Sequence, residues 1–259
     1  MQVLKKYMLF KFRSRYYIIK LVIGMVEGFK LTAEKIKRII KLAVHLPDDY
    51  YSNNKKYPLL LVLDGGLFFS FLNEDNKILD LKKILDEYDK EFIVIGLFRP
   101  RLNEWNISEL NPYYSGSIDG VDVSYSSIFY EYIANDLLPL LKQKYRFTDD
   151  ISVMGVNLGA ISVIPLLARY EKIKKGLIFS LDYCDVNDLI FDEALKINNK
   201  TIYIYQGEVD SSIDDLNKFS NLEKSLDRDT NKLIIDYDRE KTNTINDIEG
   251  YIVKGLEKI

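Results

Sequence analysis

Two continuous apolar runs, Tyr57–Asp64 (YPLLLVLD) and Glu91–Phe98 (EFIVIGLF), constrain the fold more than any other feature of the chain. Runs this short and this uniformly apolar suit strands covered on both faces, as in parallel sheets. Helical spacing recurs between and after them, over Lys77–Lys90 (through Ile78, Leu79, Leu81, Ile84 and Leu85), Ile128–Tyr145, Leu158–Tyr170, Asp214–Leu226 and Asn246–Lys258. Further strands are expected at Ile151–Met154, Lys175–Leu181, Thr201–Gln206 and Lys232–Tyr237. This alternation predicts βαβ units, hence an α/β fold with a mostly parallel central sheet and helices on both faces. Right-handed crossovers then set the C-terminal ends of the strands along one edge, where such folds carry their sites.

Upstream, Ile40, Leu42, Val44 and Leu46 alternate with Lys41, Ala43 and His45, which predicts a half-buried strand that stops at Pro47. The first 24 residues hold Lys5, Lys6, Lys11, Arg13, Arg15 and Lys20 and no acid, so the remainder carries −9 against −3 for the whole chain. Met8, Phe10 and Phe12 alternate with Lys11 and Arg13, which reads as a strand with one charged face and suits an antiparallel strand pair opening a sheet. A membrane-surface or acidic-partner patch is the alternative for this segment. Lys20 interrupts the apolar stretch Tyr16–Ile23, which is too short to span a bilayer and lacks the pattern of a secretory signal, so a cytoplasmic protein is expected. No repeat or Pro/Gly-rich linker breaks the 259 residues, and a single domain over 1–259 is expected.

The histidine count excludes whole classes of chemistry. His45 is the only imidazole and Cys184 the only thiol in the chain. A multi-histidine metal site, a cysteine metal cluster and an intrachain disulfide are therefore impossible, and no cofactor is expected. The small net charge gives no reason to expect nucleic acid as a partner.

Met154-Gly155-Val156-Asn157-Leu158-Gly159-Ala160 sits between a predicted strand and a predicted apolar helix. Glycines four apart at such a junction mark the sharp turn on which α/β-hydrolases carry their nucleophile, because only small residues fit beside the strained central one. Around it, Val44-His45-Leu46-Pro47 followed by Lys56–Gly66 (KYPLLLVLDGG) resembles the opening of the esterase family that includes esterase D-like and enterochelin-esterase-like proteins. Phe129–Leu141 with Tyr145-Arg146 resembles that family's helix leading into the turn, and Thr201–Asp210 (TIYIYQGEVD) its penultimate strand and acid loop. The resemblance covers roughly residues 25 to 257 and implies an α/β-hydrolase fold with antiparallel N-terminal strands.

It also implies site positions. The nucleophile position falls on Asn157, whose amide cannot form an acyl-enzyme. The acid position falls on Asp210, or on Glu208 just before it. The catalytic histidine should lie in the loop holding Thr242, Asn243 and Thr244, which has none, and His45 lies on an early strand. Oxyanion-hole amides are implied at Gly65, Gly66, Leu67 and Leu158, able to hold a carbonyl or carboxylate oxygen. The expected pocket joins Gly65–Phe68, Asn157, Leu158, Asp210 and the Trp105–Tyr114 loop. The chain is thus expected to be a pseudoenzyme that binds a small acyl or carboxylate ligand or serves as a scaffold. One alternative is a weak or atypical ester or thioester hydrolase using Ser124, Ser127 or Ser211 with Asp210 or Glu208, or a water activated by a carboxylate. Another is a structural protein, forming homo-oligomers through its basic N-terminal strands.

Overall fold

A computed structural model describes residues 9–11, 17–19, 21–23, 26–36, 38–63, 65–69, 84–85, 91–98, 117–118, 121–122, 125–181, 188–227 and 229–259. Its strands are β1 (Leu9–Lys11), β2 (Tyr17–Ile19), β3 (Leu21–Ile23), β4 (Val26–Ala33), β5 (Arg38–His45), β6 (Tyr57–Val62), β7 (Ile93–Phe98), β8 (Ser117–Ile118), β9 (Val121–Asp122), β10 (Phe147–Val156), β11 (Ile173–Phe179), β12 (Thr201–Gly207) and β13 (Lys232–Asp238). A long helix begins as α1 (Tyr125–Tyr132), passes through a π-helical turn at Ile133–Leu137 and continues as α2 (Leu138–Lys144). Helices α3 (Leu158–Arg169), α4 (Leu189–Ala194), α5 (Ile213–Leu226) and α6 (Ile245–Lys258) follow.

Nine strands form one sheet in the order β3-β4-β5-β7-β6-β10-β11-β12-β13. Strands β7, β6, β10, β11, β12 and β13 run parallel, and β3, β4 and β5 add to one side with antiparallel pairings. The apolar runs behave as their composition requires. Successive residues of β6 enter opposite cores: Leu59 and Leu61 join the face covered by α1, α2, α3 and α5, while Leu60 and Val62 join the face covered by α6. Each such fully buried side chain contributes about 1.5–3 kcal/mol.

Some expectations hold and others shift. Strands β1 and β2 form the expected antiparallel pair, Leu9 opposite Ile19, in a two-stranded sheet of their own. Strand β5 begins at Arg38 and is half-buried as expected: Ile40, Leu42 and Val44 are fully buried, while on the second face Ile39 is 60 % exposed, Lys41 and His45 are partly buried, and Ala43 is buried. The strand expected at Lys175–Leu181 starts at Ile173 and ends at Phe179, where Ser180 turns to a positive φ of 49°. Of the helix expected at Lys77–Lys90, only Ile84 and Leu85 are described, and both are helical. Asp64, Trp105–Tyr114, Ser124 and Cys184 lie outside the described residues.

Lys200 ties the end of α3 to the start of β12. It is 7 % exposed, and its ammonium donates to the carbonyls of Tyr170 (3.2 Å), Glu171 (3.3 Å) and Ile173 (2.6 Å). A cation there meets the negative end of the helix and satisfies carbonyls that the helix leaves unpaired. Replacing Lys200 with Ala strands those acceptors in a buried site. It should cost about 2–3 kcal/mol, read as a fall in Tm of roughly 5–10 °C by calorimetry.

Candidate functional site

The turn from β10 into α3 is set by one close approach. A Cβ on Gly155 would lie 2.2 Å from the Gly159 carbonyl oxygen and 2.6 Å from the Ala160 nitrogen, so only glycine lets strand and helix meet there. Between them stands Asn157, at φ 51° and ψ −116°. Asparagine tolerates positive φ better than most side chains, yet this combination still stores strain of order 1–3 kcal/mol. Asn157 is the N-cap of α3, a role that asparagine usually fills with its side chain. Here the backbone angles prevent that, and no side-chain cap hydrogen bond forms. The residue is exposed, and its backbone is fixed by N–H donation to Phe179 O (2.9 Å) and by Ala160 N–H donating to its carbonyl (3.0 Å).

The neighbouring strand ends continue the same edge. Ser180 N–H donates to Tyr205 O, and Glu208 N–H to Asp238 O, each at 2.9 Å. Beyond β12, the Asp210 carboxylate accepts from both the backbone N–H and the side-chain amide of Asn243, each at 2.8 Å. Asn243 Oδ1 in turn accepts from Gly207 N–H (2.9 Å) and Gln206 Nε2 (3.0 Å). Its Nδ2 also reaches Gly207 O and Ser211 Oγ, both at 3.0 Å. Of Thr242, Asn243 and Thr244, therefore, Asn243 is the one that meets the acid. The loop that carries it is pinned by Asp247, which accepts from Thr242 N–H (2.9 Å), Thr242 Oγ1 (2.7 Å) and Lys241 Nζ (3.2 Å). Those hydrogen bonds, the Thr242 backbone N–H first, hold the Asp247 carboxyl down at about 2. Thr244 serves as N-cap of α6, and its hydroxyl lies 2.7 Å from that of Thr242.

On the other side of the turn, Gly65, Gly66 and Leu67 form a short 3-10 turn after β6. Gly65 is required because a Cβ would fall 2.5 Å from the Gly96 carbonyl carbon of β7. Gly65 thus lies backbone against backbone on the neighbouring strand, while Leu158 opens α3, whose first amides have no acceptor within the helix.

Of the other candidates, His45 and Ser127 do not join this edge, whereas Ser211 and Glu208 lie on it without forming a nucleophile–base pair. His45 pairs with Val94, which is in register with Leu60 and through it with Ser152. Asn157 is five residues beyond Ser152 and three strands away, so at ordinary strand spacings the two are roughly 20 Å apart. Ser127 is exposed on α1 and accepts from Arg169 Nη1 at 3.2 Å. Ser211 Oγ donates to Gly207 O (2.7 Å) and accepts from Gln206 Nε2 and Asn243 Nδ2, with no hydrogen bond to Asp210 or Glu208. Glu208 faces Arg239 at 3.8 Å. Among the described residues no group of three or more His, Cys, Asp or Glu side chains is placed to hold a metal ion. None of the helices described is long and apolar enough to cross a membrane. Gln206, Gly207 and Asp247 were not foreseen, because nothing in the sequence marks which polar residues of two distant loops will meet.

The family model Esterase, described as "Putative esterase", matches residues 33–239. The chain belongs to this esterase family. No curated protein matches it. Among solved structures, this esterase-family chain is similar to an IroE-like serine hydrolase from Shewanella oneidensis, at 14% identity and TM-score 0.70 over 89% of this chain and 78% of that one. It is also similar to an S-formylglutathione hydrolase from Agrobacterium tumefaciens, at 14% identity and TM-score 0.67 over 93% and 97% of the two chains. A third likeness is to the siderophore hydrolase EstB from Aspergillus nidulans, at 14% identity and TM-score 0.65 over 92% and 96%. These likenesses establish the α/β-hydrolase fold.

Two outcomes follow for this esterase-family site. Asn157→Gly should relieve the strain and stabilise the fold by about 1 kcal/mol, raising Tm by roughly 2–4 °C, whereas Gly155→Ala should destabilise it by about 3 kcal/mol. The Asp247 carboxyl is held below its ordinary 3.8 by the fold, so its stabilising effect is full above that value and fades as pH falls toward about 2. Acid unfolding followed by circular dichroism should therefore be shallower in Asp247→Asn across that interval.

Proposed function

We propose that this esterase-family protein is a pseudoenzyme, which holds a small acyl or carboxylate ligand at the strand-end site, or serves as a scaffold, without turning a substrate over. The observation that carries this reading is the Asp210–Asn243 contact on the same strand-end edge as a strained Asn157. Asn243 donates an N–H to the carboxylate, as the base of an acid–histidine pair would. A carboxamide, however, has no lone pair basic enough to take a proton from a nucleophile near neutral pH. Asn157 has the backbone of a nucleophile turn and a side chain that cannot attack a carbonyl. Geometry suited to a triad is thus occupied by two amides.

What remains is suited to binding. The Leu158 amide and those of Gly66 and Leu67 are candidate donors to one carbonyl or carboxylate oxygen, and the exposed Asn157 amide, which makes no capping hydrogen bond, adds a further donor. The bonds that lock Ser211 leave the hydrolase alternative without a paired nucleophile and base among the described residues.

The test is reconstruction. Wild-type protein should hydrolyse nitrophenyl acetate and butyrate no faster than buffer does. The double variant Asn157→Ser with Asn243→His should gain at least about 100-fold, since a positioned base contributes that much or more. Neither single variant should gain. Wild-type turnover as fast as that of the double variant would overturn the proposal.

A further inference from the structure

The two edges of the nine-stranded sheet are unlike. One ends in β3, which has three residues; the other ends in β13, which has seven, pairs with β12 without a register shift and contains no Pro or Gly. Exposed edges are normally blunted by shortness, bulges, proline or a mid-strand lysine, because unpaired N–H and C=O groups recruit another strand. Among the described residues β13 has none of these guards, and its one mid-strand charge, Asp236, is taken up by Tyr203 and Lys254.

Its geometry also fixes which backbone groups have no partner among the described residues. Lys232 N–H donates to Lys200 O and Asp238 O accepts from Glu208 N–H, so the even-numbered residues of β13 face β12. The backbone groups of Leu233, Ile235 and Tyr237 therefore face outward, away from the sheet. Tyr237 is 37 % exposed and stacks on Phe219 of α5 with ring centroids 5.6 Å apart. Around the C-terminal end of this edge, Val209 (60 %) and Ile213 (80 %) are also exposed.

We propose that β13 is a dimer interface, on which two copies of the chain pair their β13 strands antiparallel about a two-fold axis at Ile235. In this register the sequence Lys232-Leu-Ile-Ile-Asp-Tyr-Asp238 complements itself at five of its seven positions, Ile234 and Asp236 opposing each other at the other two. Ile235 meets its own copy, Leu233 meets Tyr237, and Lys232 meets Asp238 at both ends. Ile235 with Ile235, and each Leu233 with Tyr237, then fall on hydrogen-bonded pairs, the only positions where the outward N–H and C=O groups can be exchanged. Opposite charges and apolar side chains directly across the strands add to the pairing. A two-fold at Asp236 would instead oppose two aspartates. The interface lies at the far side of the sheet from the basic N-terminal strands, and it does not depend on the pseudoenzyme reading.

The test uses the full chain at micromolar concentration in size-exclusion chromatography with light scattering. Wild type should run at twice the 30.3 kDa chain mass. Ile235→Pro removes an outward N–H that makes no bond to β12, and it should give a monomer with an unchanged circular dichroism spectrum. Should that variant misfold, oxidation tests the register in a Cys184→Ser background. Paired Ile235 Cα atoms would be about 5.5 Å apart, inside the range of about 4.4–6.8 Å that a disulfide bridges. Ile235→Cys should thus form a disulfide-linked dimer, and Ile234→Cys, which meets Asp236, should not. A wild type that is monomeric throughout, a dimer that survives Ile235→Pro, or equal cross-linking of the two cysteine variants would each overturn the proposal.

Discussion

The contact of Gly155 with the Gly159 carbonyl sets everything at this site. Because no Cβ stands between them, β10 can end and α3 begin within a single residue, and that residue must take the strain. The helix can then lie buried from Leu158 to Leu167 against the sheet. Its N-terminus consequently points to the edge where β11 and β12 also end. Asn157, Ser180 and Glu208 occupy successive strand ends, each with its N–H bonded to the next strand. The site is thus a property of the sheet, and only its chemistry depends on side chains.

In the proposed reading, that chemistry is divided between a scaffold kept in place and reacting groups that are missing. Asp210 has a firm partner in Asn243, and Asn243 has four further polar contacts that fix its orientation. A network this complete gives the loop a defined shape in the absence of an imidazole. Strain at Asn157 is the less easily explained part, since a glycine there would relieve it. In the proposed reading, this exposed, non-capping amide is the group that contacts a ligand.

Much of the fold was legible in the sequence because burial leaves a simple pattern. Strands β6 and β7 are covered on both faces and so are apolar throughout, and α5 and α6 begin within a residue of where their spacing puts them. Strand β4 escaped because Glu27 and Lys30 interrupt its pattern. Glu27 is 3 % exposed, made tolerable by hydroxyls of Tyr51 (2.8 Å) and Tyr145 (2.9 Å), which are remote in sequence. The same explains part of the tyrosine content, since Tyr203 donates to Asp236 at 2.5 Å and Tyr205 to Thr242 O at 2.8 Å. Helix α4, only six residues long, gives too little periodicity to read. At the site, the turn was legible because glycine spacing is local. The choice of Asn243 from Thr242-Asn243-Thr244 was not, because it depends on where the acid loop lies in space.

The most direct test of the central claim compares initial rates of short-chain ester and thioester hydrolysis for wild type and Asn157→Ala at equal, quantified folded protein. A non-catalytic site gives two rates indistinguishable from each other and from buffer. Turnover by wild type that disappears in Asn157→Ala would contradict it, because chemistry would then run through the residue held here to be incapable of it.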